Sequence, residues 1–465
     1  MSMDRRAFLT AGATVASTLV QSSSSMAAPK SGEFEAIRNE FPRAVEQVYL
    51  DAAANTPLPK YTAEGMRKYM DFHMYGPAQG RGAYADEALR EVKPLFARLI
   101  NAKPSEIGFV ICTKAGEAAI VNGLNIQGSG GNLVTNDLHY AGSVHDYIGR
   151  RKAGMDVRIV KHRDWHIDLA DMERAVDGKT KLISITLVSN VNGHVENAKA
   201  ISDLAHAHGA YLYADIIQAA GSVPVDVKAL GIDFAACSNY KWLQGMRGAG
   251  FLYAREDLQG SAVKDLSFPG YVEFNYSPWV TRADPSKEDF PYKANKDASR
   301  YEPGNVSYMA YAGQYEALKR ILALGVENIY AHARPMCDRL GKELPSLGYR
   351  LITPKDAKSS LVVVQAKNLK ASMAKLKAAN IQVTSAGENR IRISPAVYNN
   401  LEDVDKLLEA LAYSLVRTGR VELPFPFGSQ ILSLVRLPIP PRSRFGMAQP
   451  DYNIHVRACW DCAGA

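Results

Sequence analysis

The sequence predicts an α/β protein: a large domain on a mostly parallel sheet flanked by helices, then a small C-terminal α+β domain. Three observations carry this. Residues 182–188 form a β-branched apolar run of strand length, and residues 211–214 form another. Between them, residues 200–208 place Ile201, Leu204, Ala205 and His208 on one helical face, and Gly209 stops the helix. A strand–helix–strand unit of this kind belongs to a parallel sheet covered on both faces. Third, a helical stretch from Tyr308 to about Leu344 leads into short strands at 361–365, 381–384 and 391–394, with helices at 371–380 and 401–416. A chain of 465 residues is comfortable for two domains.

The elements follow in order. Asp4-Arg5-Arg6-Ala7-Phe8-Leu9 precedes a weakly apolar stretch at 7–20 and a small-residue cleavage zone near Ala27 or Ala28. The apolar stretch is too short to span a bilayer, so stable membrane insertion is not expected. Adjacent arginines followed by Phe-Leu resemble a twin-arginine signal over residues 1–28. That implies export in the folded state, a periplasmic destination and the translocase as a transient partner. Residues 29–45 read as an arm or short helix. The large domain covers 46–305, and the linking helix and small domain cover 306–420. Over 421–465 prolines and scattered basic residues replace periodicity, which predicts a disordered tail.

Composition removes some function classes. The formal charge of +7 is modest, and no Lys/Arg stripe interleaved with aromatics marks a nucleic-acid surface. The five cysteines are odd in number and widely spaced, unlike a disulfide framework. Cys459 and Cys462 form one CxxC without a second pair or nearby histidines, so no metal site is expected.

Two strand ends carry the chemistry. Asp215 closes the strand at 211–214, on the carboxyl edge where such sheets bind ligands. Lys241 follows another strand, at 232–237, and glycines at 245, 248 and 250 come after it. Pyridoxal phosphate (PLP) needs a lysine for its aldehyde, a carboxylate for its pyridine nitrogen, a phosphate cup and a ring-stacking group. Asp215 suits the nitrogen, and Gln218 can reach the neighbouring ring hydroxyl. Among apolar walls Lys241 should lose proton affinity, which favours attack on the aldehyde.

Ala214-Asp215-Ile216-Ile217-Gln218-Ala219-Ala220-Gly221 and Cys237-Ser238-Asn239-Tyr240-Lys241-Trp242-Leu243 resemble the signature of the class V aminotransferase family. That group includes cysteine desulfurases, kynureninase and isopenicillin N epimerase. The resemblance implies PLP fold type I, PLP as cofactor and a homodimer with active sites at its interface. It makes Lys241 the cofactor lysine, Asp215 the pyridine partner, Gln218 the ring-hydroxyl partner and Ser238 a phosphate ligand. Thr113-Lys114-Ala115-Gly116-Glu117 opens a helix, so Ala115 and Gly116 are assigned to the phosphate cup. Tyr140 falls where the family stacks an aromatic on the ring, and Asn190 where it places an asparagine near ring hydroxyl and substrate carboxylate. Tyr240 replaces a histidine that many members carry before the lysine. Arg300-Tyr301-Glu302-Pro303-Gly304-Asn305 resembles a segment that reaches the partner subunit's phosphate, through Gly304 and Asn305. Arg390-Ile391-Arg392-Ile393-Ser394 resembles the strand whose arginine, here Arg392, grips the substrate carboxylate through its bidentate fork.

These motifs imply chemistry at the Cα of an amino acid or a peptide-borne amino group. Transamination or epimerisation leads, with siderophore or peptide tailoring as a setting. A C–S or β-elimination lyase is the alternative, although residues 383–389 carry no cysteine of the desulfurase kind. A non-catalytic binding module of this fold is the alternative of another class; it would have no need for Lys241, Asp215 and Arg392 together.

Overall fold

The computed structural model describes residues 32–264, 273–274 and 292–412. The expected signal peptide, the tail and the CxxC pair lie outside the described residues. Along the chain, β1 (Val48–Tyr49) precedes β2 (Ile107–Val110), β3 (Asn132–Asn136), β4 (Asp156–Val160), β5 (Thr180–Thr186), β6 (Tyr211–Asp215), β7 (Phe234–Ser238) and β8 (Gly250–Ala254). A short ribbon pairs β9 (Glu273–Phe274) with β10 (Tyr292–Lys293). Then come β11 (Arg350–Leu351), β12 (Val362–Gln365), β13 (Ile381–Gln382), β14 (Thr384–Ala386) and β15 (Arg390–Ile393).

The main sheet has the order β2-β8-β7-β6-β5-β3-β4. All its pairs are parallel except those of β8, which runs against both neighbours. Strands β6, β7 and β2 therefore end on the same edge, and the segments that follow them meet there. β6 and β7 are buried almost throughout because helices cover both faces. The helix Ala198–Ala207 connects β5 to β6; the Asn197 side chain caps it by accepting from the Ala200 amide.

The smaller sheet, β11-β12-β15-β14, is antiparallel and has its own core, with Leu340, Leu376, Ile391 and Val404 among its residues. The expected strand at 381–384 divides at Val383. β13 pairs in parallel with β1, whereas β14 pairs with β15, so the chain changes partners within three residues. Val48 and Leu50, expected at the start of the large domain, pack into this second core. The single helix expected from Tyr308 is two, Tyr308–Leu324 and Val326–Ser346. Gly325 separates them at φ +78, a backbone state that breaks an α-helix and is easy only for glycine. The arm at 29–45 is two short helices over its described part, Glu33–Arg38 and Pro42–Glu46. Arg38 anchors it with a bidentate bridge of 2.6 and 3.0 Å to the buried Asp403.

Candidate active site

The carboxyl edge of the main sheet gathers the two residues on which the sequence argument rests. Asp215 ends β6, and its Oδ1 accepts from the Ile217 amide at 2.9 Å, which fixes the carboxylate as the chain turns. Lys241 stands in the excursion between β7 and β8 and is buried. Burial pushes Asp215 up to about 7, Glu117 adds to the rise, and Lys241 opposes it. Burial draws Lys241 down to about 8, against the pull of Asp215, and Arg392 lowers it further. A buried acid and a buried amine thus share one dry site, each adjusting the other.

Ser238, the last residue of β7, is knotted to the start of the helix Thr113–Gly123. Its Oγ accepts from the Thr113 amide at 2.8 Å, its own amide donates to Thr113 Oγ1 at 2.9 Å, and the hydroxyls lie 2.9 Å apart. The Ala115 and Gly116 amides point back to the Cys112 carbonyl, at 3.1 and 3.2 Å. Gly116 faces the sheet, where a Cβ would come within 2.7 Å of the Ala236 Cβ. Thr113, which the sequence argument did not single out, is thus joined to Ser238 at this helix N-terminus.

Arg392 is buried on β15 with an under-filled fork. Its guanidinium reaches the Asn190 carbonyl and Thr384 Oγ1, both at 3.3 Å, and Nε has no hydrogen-bond partner. Asp51 lies 4.0 Å away and accepts from Thr384 Oγ1 at 2.6 Å and Gln382 Nε2 at 3.1 Å. Gln218 donates to the Ala53 carbonyl at 3.0 Å and accepts from Trp242 Nε1 at 2.8 Å, which fixes its side chain.

Tyr240 is half-buried, and its carbonyl accepts from the Thr56 amide at 3.0 Å. Tyr140 lies near it, 42% exposed, at the start of the helix Ala141–Lys152. Beneath Tyr140 runs a buried chain of polar groups. The Tyr140 amide donates to His139 Nδ1 at 2.7 Å, and His139 Nε2 meets Ser184 Oγ at 3.2 Å. Ser184 leads to Glu117, which also accepts from Lys114 at 2.6 Å and Ser143 at 2.6 Å. Burial pushes His139 down to about 4, so it is neutral and Nδ1 can accept. This chain links the Tyr140 backbone through His139 and Ser184 to Glu117.

Gly304 and Asn305 follow a turn, Ala298–Tyr301, that packs along edge strand β2; Asn305 is exposed, and a Cβ on Gly304 would have open space. Gly245 and Gly250, which follow Lys241, serve internal packing. A Cβ at these positions would strike Gln314 Oε1 and the Cys237 carbonyl.

The residues present fit the cofactor. Asp215, held on one oxygen, is a strong acceptor in a dry site; Lys241 is a readily deprotonated amine; Thr113 and Ser238 lie at a helix N-terminus suited to phosphate. An expected result follows for the apoprotein. Lysine must be neutral to attack the aldehyde, so covalent PLP uptake in stopped flow should rise with pH and level off above about 8. A rise continuing toward 10.5, the ordinary value for lysine, would contradict this environment.

Comparison with known proteins agrees with the geometry. Residues 48–407 match the family model described as aminotransferase class V. The chain is 31% identical over 328 residues to a probable cysteine desulfurase of Methanothermobacter thermautotrophicus, covering 67% of this chain and 76% of the relative. It is 24% identical over 382 residues to the uncharacterized aminotransferase YcbU of Bacillus subtilis, covering 81% and 97%. The apo structure of a cysteine desulfurase from Thermococcus onnurineus superposes with a TM-score of 0.71 at 23% identity, over 85% of this chain and 99% of that one. With its matched sequence, its fold and the residues at the sheet edge, the chain belongs to the class V aminotransferase family and takes PLP as its cofactor.

Proposed function

We propose that this protein is a PLP-dependent lyase that breaks the Cβ–S bond of a cysteine-derived amino acid without storing sulfur on an enzyme thiol. One observation carries the second half of that statement. β14 and β15 are joined by a tight turn at 387–389, so the connection ahead of Arg392 holds neither a cysteine nor room for a long loop. Of the cysteines among the described residues, Cys237 is buried in β7 and Cys337 in the helix Val326–Ser346; Cys112 is half-buried beside the helix start at Thr113. The first half rests on the site and on the 31%-identical relative named as a probable cysteine desulfurase.

Bound at Lys241, the cofactor supplies an electron sink for the bond pair released at Cα. Arg392 holds the substrate carboxylate, with Asn190 and Thr384 setting the angle of its fork. Lys241 Nζ takes the Cα proton, for which a lowered proton affinity suits it. The Cβ–S bond breaks with its electron pair on sulfur. For cysteine the balance is cysteine plus water giving pyruvate, ammonia and hydrogen sulfide.

Purified holoenzyme incubated with L-cysteine should release pyruvate and sulfide in equal amounts, with no persulfide on the protein by mass spectrometry. Transamination or epimerisation, on a free or peptide-borne amino group, is the second reading; neither needs a thiol. Formation of the pyridoxamine form with a 2-oxo acid, or Cα deuterium exchange without pyruvate, would replace the lyase reading with that one.

Export and dimerisation belong to the same proposal. Arg5 and Arg6 would direct the folded holoenzyme through the twin-arginine translocase. Changing both to Lys should abolish recovery from the periplasm, and unchanged recovery would refute export. Gly304 and Asn305 would reach the partner subunit's cofactor phosphate. A strict monomer by light scattering that still retains PLP would remove the homodimer.

A further inference from the structure

Beside Arg392 the protein carries a second guanidinium. Arg390 and Arg392 are alternate residues of β15 and so share a face of the strand, about 7 Å apart along it. Among the described residues the Arg390 side chain has neither ion pair nor hydrogen bond; it lies against the turn at Gly387 and near the Trp165 ring, 5.9 Å from the guanidinium carbon to the centroid. In the ladder it pairs with the small Ala386 on one side and Gln365 on the other.

The other side of this arrangement is built with care. Arg163 and His166 exchange backbone hydrogen bonds of 2.8 and 3.0 Å, closing a two-residue reversal at Asp164 and Trp165. Both central residues are left-handed, at φ +44 and φ +68, in a turn that Asn-Gly ordinarily supplies. A tryptophan in the position that favours glycine is strained, and strain of this kind persists where the side chain is needed. The indole stacks on His162, with centroids 4.8 Å apart and planes 19° apart, and His162 is pinned to Asp137 at 3.0 Å. The Trp165 carbonyl accepts from Asn192 Nδ2 at 2.8 Å. Asn192 lies two residues beyond Asn190, whose carbonyl meets Arg392. The two arginines of β15 thus meet two segments that are tied together, Arg392 at Asn190 and Arg390 at the tryptophan bonded to Asn192.

The geometry points to Arg390 and Trp165 as a second anion subsite, selecting amino acids that bear a further carboxylate beyond the scissile Cβ–S bond. Arg392 takes the α-carboxylate, Trp165 holds the Arg390 plane in place, and the free edge of Arg390 takes the distal carboxylate. This rests on the lyase reading for the position of the substrate. Arg390 is a specificity residue, remote from the reacting atoms.

Spectral titration of the holoenzyme with S-carboxymethyl-L-cysteine and with its neutral isostere S-carbamoylmethyl-L-cysteine reads affinity whether or not either is turned over. The wild type should bind the acid about tenfold more tightly, as expected for one charge-assisted pair. In Arg390→Gln the ratio should fall to about one. Trp165→Gly, which supplies the residue the reversal prefers and so keeps the fold, should also lower it. A wild type that binds both equally, or a preference that survives Arg390→Gln, overturns the subsite and leaves the lyase reading standing. A wild type that responds to neither compound overturns both.

Discussion

Lys241→Ala should lower turnover by at least about 10³-fold while the protein still folds and still binds PLP non-covalently. The substitution removes both the attachment point of the cofactor and the group that moves the Cα proton, and general acid–base catalysis alone supplies about 10²–10⁴-fold. Folding should survive, because an amine held below its ordinary proton affinity by burial is itself a cost that alanine removes. The remaining site, with Asp215, Ser238, Thr113 and Arg392, is untouched. Circular dichroism would check the fold and pyruvate release the rate. A variant within tenfold of wild type would assign the proton transfer elsewhere.

The second large effect is expected at Asp215. Asp215→Asn preserves shape, and the amide oxygen can still accept from the Ile217 amide, so β6 should end as it does now. What is lost is the charge. A neutral amide cannot hold the proton on the pyridine nitrogen, and in a buried site no solvent replaces that interaction. Turnover should fall by about 10²–10⁴-fold, with a smaller loss of cofactor affinity because the phosphate cup is intact. Asp215→Glu should do little better, since the longer side chain displaces the carboxylate from the strand end. A turnover for Asp215→Asn within tenfold of wild type would mean that the ring nitrogen is not held here.

These two residues were legible because each is local to one strand end. A strand that closes on Asp, and a Ser-Asn-Tyr-Lys run after the next strand, are patterns that a one-dimensional reading can find. The support around them is not of that kind. Asp51 meets Arg392 and Thr384 only because β1 crosses to pair with β13, a contact between segments more than three hundred residues apart. The chain from Tyr140 through His139 and Ser184 to Glu117 draws on a loop, a strand and a helix, and its members look like ordinary polar residues when read singly. Thr113 stood in a quoted motif, yet only the knot with Ser238 shows its place. The helix break was visible in principle, since Gly325 sits between two apolar-periodic runs. The switch at Val383 was not, because a continuous β-branched run gives no sign that its halves pair with different strands.

The central claim is that Lys241 is the residue that binds the cofactor covalently. The direct measurement is the absorbance spectrum of wild type and Lys241→Ala, each reconstituted with PLP, before and after borohydride, followed by peptide mass analysis. The account predicts a band near ~420 nm in the wild type, as for lysine-bound PLP generally, and an irreversible PLP adduct on the peptide containing Lys241. The variant should release its cofactor on denaturation. An adduct on another lysine, or one that persists in Lys241→Ala, would contradict the account.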